Sequence, residues 1–326
     1  MTKQTLKNFA LALGLLGPAL IPSTSGAQVG LASNFPGKRP PTHSAQAASR
    51  PAKTPGAPSY TYNLLSFPGT LDTIASGINK GATTSKMEIV GAYSGTGAFV
   101  AHVSGTKTVR ETYETVKYPH DASPIDINDL GEIVGDYLDS SGVYHGFELS
   151  DKKFTTIDVP FAGAAGTNAD AINNSGEIVG SWSDSGVTQG FTLIDGTYTS
   201  LNYPGADYTF AFDVNNEGDI VGSYASPDSN GSQCYLLSGG TYTSISVPGA
   251  AWTEGIAIND AGVIVGYYGT SGSSVIQGFV LSGGVFTTVS IPGEPYTALF
   301  DINNDGVLLG VYQDAAGLSV SFLATP

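Results

Sequence analysis

The chain has 326 residues, and its 28 Asp and Glu outnumber its 13 Lys and Arg, which gives a formal net charge of −15. From Phe154 to the end there are 16 acidic residues and no Lys or Arg. Such a surface repels nucleic acid and anionic lipid headgroups, which excludes both as partners, and it suits solubility or a cationic partner. The single cysteine, Cys234, excludes an internal disulfide.

Residues 1–27 have the pattern of a signal peptide. Lys3 and Lys7 precede the apolar run FALALGLLGPALI at 9–21, and SGA at 25–27 supplies small residues before the cleavage point. The apolar run is too short to span a bilayer, and no later stretch is long and apolar enough to do so. We therefore expect a protein that is secreted or displayed at the cell surface, without membrane insertion.

Residues 28–59 contain little aliphatic side chain and are dominated by Pro, Ala, Ser and Gly. This composition buries too little apolar surface to offset the entropy of ordering, so it predicts a disordered linker. A basic tether to the cell wall is the other interpretation, because the segment holds four basic residues. They are Lys38, Arg39, Arg50 and Lys53.

Residues 60–326 contain a repeat whose core phrase is INNxGxIVG. The phrase occurs six times, as in INNSGEIVG at 172–180, and the first copy, at 78–91, carries an insertion. The first Asn of each copy is spaced by 42–49 residues. These residues are Asn79, Asn128, Asn173, Asn215, Asn259 and Asn303.

Each unit predicts four short strands, because Thr, Tyr, Val and Ile alternate with polar residues and Asn-x-x-Gly marks a hairpin turn. Units of roughly 44 residues with this content are typical of propeller blades.

Each unit ends on an aromatic residue six positions before a Pro, but the sixth unit lacks this pair. The missing pair, Tyr62 and Pro68, lies in YTYNLLSFPGT at 60–70. We therefore predict an all-β, monomeric, six-bladed propeller of four-stranded antiparallel blades, whose ring is closed by the N-terminal strand.

The units resemble the HAF-type extracellular repeat of bacterial exported proteins. That pattern reads IN(N/D)xGxIVGxY, then a His-Ala-Phe-like triplet, then FTTIDxPGA, and HGFELSDKKFTTIDVP at 145–160 is its closest copy. The resemblance covers 60–326 and implies an extracellular protein, but it implies no particular reaction. The His position of the triplet holds His145 in one unit and Gln in three others, so we interpret His145 as structural and predict no catalytic residue.

The stretch DINNDG at 301–306 resembles the start of a calcium loop. Asp301, Asn303 and Asp305 offer oxygen ligands at alternate positions, and a Gly follows. The acid expected at the twelfth position is replaced by Tyr312. Bound Ca²⁺ is one interpretation, and a hairpin turn begun by an Asn side chain is the other.

The residue before Ile or Val in the core phrase alternates around the six units. It is Asp126, Asp213 or Asp301 in the even units, and Gly or Ala in the odd units. If these strands are innermost, three carboxylates converge on the axis and favour a cation there. The alternative is that each Asp bonds to backbone N–H groups of its own turn.

Side chains that depart from the repeat are the best candidates for binding a ligand. They are Asp170, Asp207, Trp252 and Glu254, all near connections between units. We predict a binding or structural module whose partner is an extracellular glycan or protein. The alternative is an extracellular hydrolase or lyase with a carboxylate-lined site at one mouth of the propeller.

Overall fold

The computed structural model describes residues 60–326, apart from 71–72, 82–85, 94–96, 105–109, 117, 119–121, 162, 185, 228–230 and 316. The predicted signal peptide (1–27) and linker (28–59) lie outside the described residues. Within this part of the chain the regular elements are β-strands. The same part contains no helix with the length and apolar character that crossing a membrane requires.

The strands follow the repeat, with one strand before the first core phrase. This strand and the first two units comprise β1 (Thr61–Leu65), β2 (Thr73–Ile78), β3 (Met87–Tyr93), β4 (Gly97–Ser104), β5 (Arg110–Val116), β6 (Ala122–Ile127), β7 (Ile133–Leu138), β8 (Tyr144–Ser150) and β9 (Lys153–Ile157). The third and fourth units comprise β10 (Ala164–Ile172), β11 (Ile178–Asp184), β12 (Val187–Ile194), β13 (Thr197–Leu201), β14 (Tyr208–Val214), β15 (Ile220–Ala225), β16 (Gln233–Ser238) and β17 (Thr241–Ile245). The last two units comprise β18 (Trp252–Ile258), β19 (Ile264–Gly269), β20 (Ile276–Ser282), β21 (Val285–Val289), β22 (Thr297–Ile302), β23 (Leu308–Gln313) and β24 (Ser319–Thr325).

The strands form an all-β propeller. In the described ranges, four sheets have four antiparallel strands each, and a fifth has eight strands in the order β22-β23-β24-β2-β3-β4-β5, with β1 also paired to β24. The sequence predicts six four-stranded blades, whereas the described residues form four such sheets, and the first and last units share the fifth. They are joined by a single parallel pair, Thr73 with Val320. β1 ends opposite Ser321, so Val320 of β24 is left free to pair with β2.

The first strands of the six units form a closed circle of contacts. β2 contacts β6, and the contacts continue through β10, β14, β18 and β22 back to β2. Every residue of β2 and β22 is buried, as expected for strands enclosed on both faces. These six strands are therefore innermost and surround the axis.

The hairpin between the first two strands of a unit depends on one Asn and one Gly. In the fourth unit, Asn215 Oδ1 accepts the N–H groups of Glu217 and Asp219, at 3.1 and 2.9 Å. Gly218 has φ of 79°, where other residues are strained. The core phrase is thus a turn that ends the first strand and sends the second outward.

β1 occupies the fourth-strand position of the last unit. It pairs antiparallel with β24 from Thr61 opposite Thr325 to Leu65 opposite Ser321. The Phe67 N–H then donates to Thr73 Oγ1 at 2.9 Å. Equivalent bonds connect the fourth strands of later units to the following first strands, and they join Tyr203 to Thr209, Val247 to Thr253 and Ile291 to Thr297.

The two adjacent leucines of β1 provide a test of its contribution. Leu65 is 2% exposed and packs in a core that the first and last units share, whereas Leu64 is 53% exposed. We expect Leu65→Ala to lower the free energy of unfolding by about 2–4 kcal/mol because it leaves a cavity. Leu64→Ala is the matched control and should change it by less than about 1 kcal/mol. Urea denaturation measures both, and equal small effects would show that β1 is not an integral strand.

Candidate functional site

A bulge in each innermost strand opens a cavity on the axis. The pairing of each first strand with the second skips one residue before the Asp, Gly or Ala of the repeat, and β10 has a further skip near its start. A bulge of this kind turns a side chain toward a new direction. The residues skipped before the repeat position all line the cavity, and they are Ser76, Ile125, Asp170, Phe212, Ile256 and Phe300. The space measures about 370 Å³, including the part open to solvent.

The floor of the cavity, on the side of the INNxG turns, is acidic. Asp126, Asp213 and Asp301 each follow a bulged residue and line the same cavity. All three are at least 95% buried, with exposed fractions of 5%, 3% and 4%. The alternating carboxylates of the sequence therefore surround one point on the axis.

Lys80 supplies a cation to this floor from within the chain. Its Nζ lies 2.6 Å from Asp213 Oδ2 and 2.9 Å from Asp301 Oδ1, and the lysine is 2% exposed. Burial by itself lowers the pKa of Lys80, but the carboxylates of Asp213, Asp301 and Asp126 outweigh burial and raise it. The lysine is therefore charged, and it neutralises part of the carboxylate cluster.

The carboxylates also connect neighbouring units. Asp213 Oδ2 accepts the N–H of Ile258, and Asp301 Oδ2 accepts the N–H of Ile78, each at 2.7 Å. Asp126 Oδ2 accepts the N–H of Ile172 at 3.0 Å. In each bond, the carboxylate of an even unit accepts a backbone N–H of the next odd unit.

The same packing explains why the first unit carries Gly77 where the even units carry Asp. A Cβ on Gly77 would lie 2.6 Å from the Ile125 carbonyl oxygen and 2.9 Å from Asp126 Oδ1. The side chain of Asp126 therefore occupies the space that a larger residue at position 77 would need. This contact between units explains the Gly at position 77.

The calcium-like stretch forms a turn. Asn303 Oδ1 accepts the N–H groups of Asp305 and Val307, at 3.1 and 2.9 Å, and Asp301 contacts Lys80. Among the described residues, no group of three or more His, Cys, Asp or Glu is placed to hold a metal ion. Binding of Ca²⁺ by Asp126, Asp213, Asp301, Asn303 or Asp305 stays a prediction.

A second acidic pair lies beside the cavity, between the second and third units. Asp170 is a bulge residue within β10, not in a connection as the sequence suggested, and Ser181 Oγ donates to its Oδ2 at 3.1 Å. Burial and the nearby Asp136 raise the pKa of Asp170 well above its usual value. Burial also raises the pKa of Asp136 to about 7. Both carboxyl groups therefore favour the protonated form.

The mouth of the cavity, at the start of the innermost strands, is aromatic. Phe210 stacks on the bulged Phe212, with ring centroids 5.4 Å apart, and Tyr208 meets Phe210 edge to face at 5.5 Å. Trp252 and Tyr296 pack against the same apolar group and are partly exposed. An aromatic column therefore leads from the surface along β14 toward the acidic floor.

Glu254 is a buried carboxyl group at this mouth. It is 6% exposed and accepts a hydrogen bond from Ser232 Oγ. Burial raises its pKa to about 7. Burial and the charge of Glu254 raise the pKa of Tyr208 to about 12. Glu254 therefore exchanges a proton near neutral pH in an apolar setting.

Two other candidates lie away from the cavity lining. Asp207 is exposed directly before β14, and its N–H donates to the Ala225 carbonyl oxygen at 2.7 Å. His145 stacks on Tyr137, and its Nδ1 lies 2.7 Å from Asp158 Oδ1. Burial lowers the pKa of His145, but hydrogen bonding to Asp158 outweighs it and raises the pKa. The interactions of His145 are within its own unit.

Sequence reasoning missed Lys80 and Asp136. Lys80 occupies a position that Asn or Asp fills in the other five units. This departure from the repeat is the sequence signal that could have identified it. Asp136 follows IVG, where the other units have Ala, Ser, Tyr or Val. Because this position varies between units, the Asp alone gives no signal of a buried carboxyl group.

Comparison with known proteins supplies a fold but no family. No protein-family model and no curated protein matches the chain. A gluconolactonase from Xanthomonas campestris is 10% identical, over 82% of this chain and 90% of that one, with a TM-score of 0.50. AofleA from Arthrobotrys oligospora is 11% identical, over 83% and 88%, also at 0.50. A six-bladed fungal lectin, from Aleuria aurantia, is 11% identical, over 77% and 96%, at 0.44. At this identity the similarity shows the β-propeller fold alone.

Removing the Lys80 charge should destabilise the protein. We expect Lys80→Met to lower the free energy of unfolding at pH 7 by about 3–5 kcal/mol, because it leaves buried carboxylates uncompensated. Lys86→Met is the control, since Lys86 is exposed in the same unit. Urea denaturation of both variants tests this, and an unchanged Lys80→Met midpoint would show that the lysine does not neutralise the floor.

The raised pKa of Glu254 predicts a pH dependence of stability. Its pKa rises from 4.5 in the unfolded chain to about 7, so its stabilising effect is complete below 4.5 and is lost as pH rises through 7. The shift corresponds to about 3 kcal/mol. We expect Glu254→Gln to flatten the fall in unfolding free energy between pH 5 and 8. The exposed Asp195→Asn variant should keep the wild-type slope, and an equal slope in Glu254→Gln would contradict the assignment.

Proposed function

We propose that the protein is a six-bladed propeller in which β1 completes the sixth blade. The eight-stranded sheet then represents two blades, β2 to β5 and β22 to β24 with β1, which touch through the Thr73–Val320 pair. Three observations support this proposal. The core phrase occurs six times, the six first strands form one circle, and β1 connects to β2 as the other fourth strands connect to the next unit.

We propose further that the protein is an exported binding module of the HAF-repeat type, secreted or displayed at the cell surface. The signal-like residues 1–27 and the repeated IN(N/D)xGxIVG phrase support this. Its ligand would contact the channel mouth around Trp252. The observation that carries the proposal is the combination of partly exposed aromatic rings with the buried carboxyl group of Glu254 at one end of the axis.

The chemistry of the mouth favours a glycan as the ligand. Aromatic rings offer flat apolar faces together with a polar edge, and such faces pack on sugar rings. Glu254 lies close behind these rings, where Ser232 Oγ donates to it, and it adds a polar group to an otherwise apolar mouth. The six aromatics after IVG are less suitable, because those at Tyr137, Trp182, Tyr224 and Tyr268 are at least 91% buried.

An extracellular hydrolase or lyase is the second candidate, and Glu254 is the reason to keep it. A carboxyl group with a pKa of about 7 can donate a proton to a leaving group at neutral pH. Glycoside cleavage needs such an acid and a second carboxylate. Asp170, on the cavity wall, is a candidate for the second group, although burial raises its pKa as well.

A glycan array and a panel of chromogenic aryl glycosides distinguish these functions. We expect wild-type protein to bind an array glycan, and Trp252→Ala to weaken binding by roughly tenfold or more, as for a central aromatic contact. Tyr198→Ala is the control, because Tyr198 lies on the outer strand β13. Turnover that Glu254→Gln abolishes would support the hydrolase instead. Equal loss in both aromatic variants, or binding that neither variant affects, would exclude the mouth as the site.

A further inference from the structure

The three floor carboxylates are equivalent in sequence but not in their interactions. Asp213 Oδ1 accepts the N–H of Val214, and Asp301 Oδ1 accepts the N–H of Ile302, at 2.8 and 2.7 Å. Lys80 Nζ contacts one oxygen of each. In the described part of the chain, Asp126 Oδ1 is buried and has no hydrogen-bond partner. One carboxylate oxygen on the cavity floor therefore lacks a donor.

The geometry of the floor explains why the donor is missing. Lys80 comes from the first unit and bonds to the carboxylates of the fourth and sixth units, so its ammonium serves two of the three positions. Asp170 adds a fourth carboxyl group to the cavity lining. An unpaired buried carboxylate is costly, and burial together with the charges of Asp301 and Asp213 raises the pKa of Asp126 well above its usual value. The floor therefore has one buried carboxyl oxygen that a hydrogen-bond donor from outside the chain would satisfy.

The walls above the floor indicate what kind of donor fits. Ile125, Phe212, Ile256 and Phe300 line the cavity on the side of the mouth. These side chains suit an aliphatic carbon chain, and phenyl faces attract a cation. They offer no oxygen atoms. A calcium ion needs six to eight oxygen ligands, which these walls do not supply.

We propose that the axial cavity binds the ammonium group of a compact primary amine, with Asp126 Oδ1 as its anchor and Asp170 as a second acceptor. The carbon chain lies against Phe212 and Phe300 and points toward the mouth. The N–H groups of the ammonium donate to Asp126, as those of Lys80 Nζ donate to Asp213 and Asp301. This site does not depend on the glycan proposal, because it uses residues of the floor and wall.

Thermal unfolding of the wild-type chain with simple amines tests the site. We expect n-butylammonium chloride at tenfold excess over its dissociation constant to raise the melting temperature by about 3 °C above NaCl of matched ionic strength. Tetramethylammonium chloride carries the same charge without N–H donors, and n-butanol has the chain without the charge. Neither should produce the shift. Calorimetric titration of the same protein gives the dissociation constant and the stoichiometry, expected to be one.

Variants then locate the site. Asp126→Asn keeps an acceptor oxygen for Ile172 but removes the ionisable group that pairs with the ammonium, so it should fold, melt no lower than wild type, and lose the butylammonium shift. Asp195→Asn makes the same chemical change at an exposed turn and should keep the shift. Asp170→Asn provides a second test and should weaken binding.

Several outcomes would overturn the proposal. A butylammonium shift no larger than that of NaCl would do so, and so would an equal shift with tetramethylammonium. A larger shift with CaCl₂ at matched ionic strength would replace the amine by a divalent ion. Retention of the shift in Asp126→Asn would place the amine elsewhere. The wild-type comparisons decide the matter even if a variant fails to fold.

Discussion

A closed circle of hydrogen bonds between consecutive INNxG turns holds the units in register. The N–H of Asp129 donates to Asn174 Oδ1 at 2.9 Å, and the same bond recurs from Asn174 to Asn216, from Asn216 to Asp260 and from Asp260 to Asn304. The Asn304 N–H then donates to the Lys80 carbonyl oxygen, and the Gly81 N–H donates to Asp129 Oδ1, each at 2.8 Å. Five of the six turns thus use one short polar side chain for the neighbouring unit, and the first uses the Lys80 carbonyl oxygen. Gly81, Asp129 and Asn304 are exposed, and Asn174, Asn216 and Asp260 are half-buried. The circle therefore fixes the register between neighbouring turns and does not depend on burying its donors.

The circle passes through the first unit in a different way, and that difference shapes the cavity. Lys80 contributes its carbonyl oxygen to the circle, so its side chain is free for another role. That side chain enters the floor and bonds to Asp213 and Asp301. An Asn in this position would complete the circle equally well but would leave three carboxylates without a cation. The single departure from the repeat therefore supplies the charge that makes the acidic floor stable, at a point where removing one partner is expected to be costly.

The repeat made much of the architecture predictable. Strand content, the Asn-started turn and the N-terminal position of β1 all follow from spacing, because identical units must form identical local structures. The eight-stranded sheet did not follow, since one backbone pair between Thr73 and Val320 has no sequence pattern. The bulge that turns Asp170 into the cavity was equally hidden, because a one-residue slip in pairing changes which side chains face inward. The three aspartates were found from their alternation, but Lys80 was not, because a charge in a turn usually lies in solvent.

The departures from the repeat form a path along the axis. Trp252 and Glu254 lie at the mouth, Phe212 and Asp170 line the wall, and the floor ends at Asp126. Acidic groups thus occur at both ends of an apolar passage. A rigid sugar could fill the mouth without reaching the floor, whereas an amine with a carbon chain could reach the floor past the phenyl rings. If the mouth binds a sugar and the floor binds an amine, as proposed, a ligand that carries both groups would be held more tightly than either part alone, since the second contact is then intramolecular. Comparing an amino sugar with its N-acetylated form separates the two contributions, because acetylation removes the charge and leaves the ring unchanged.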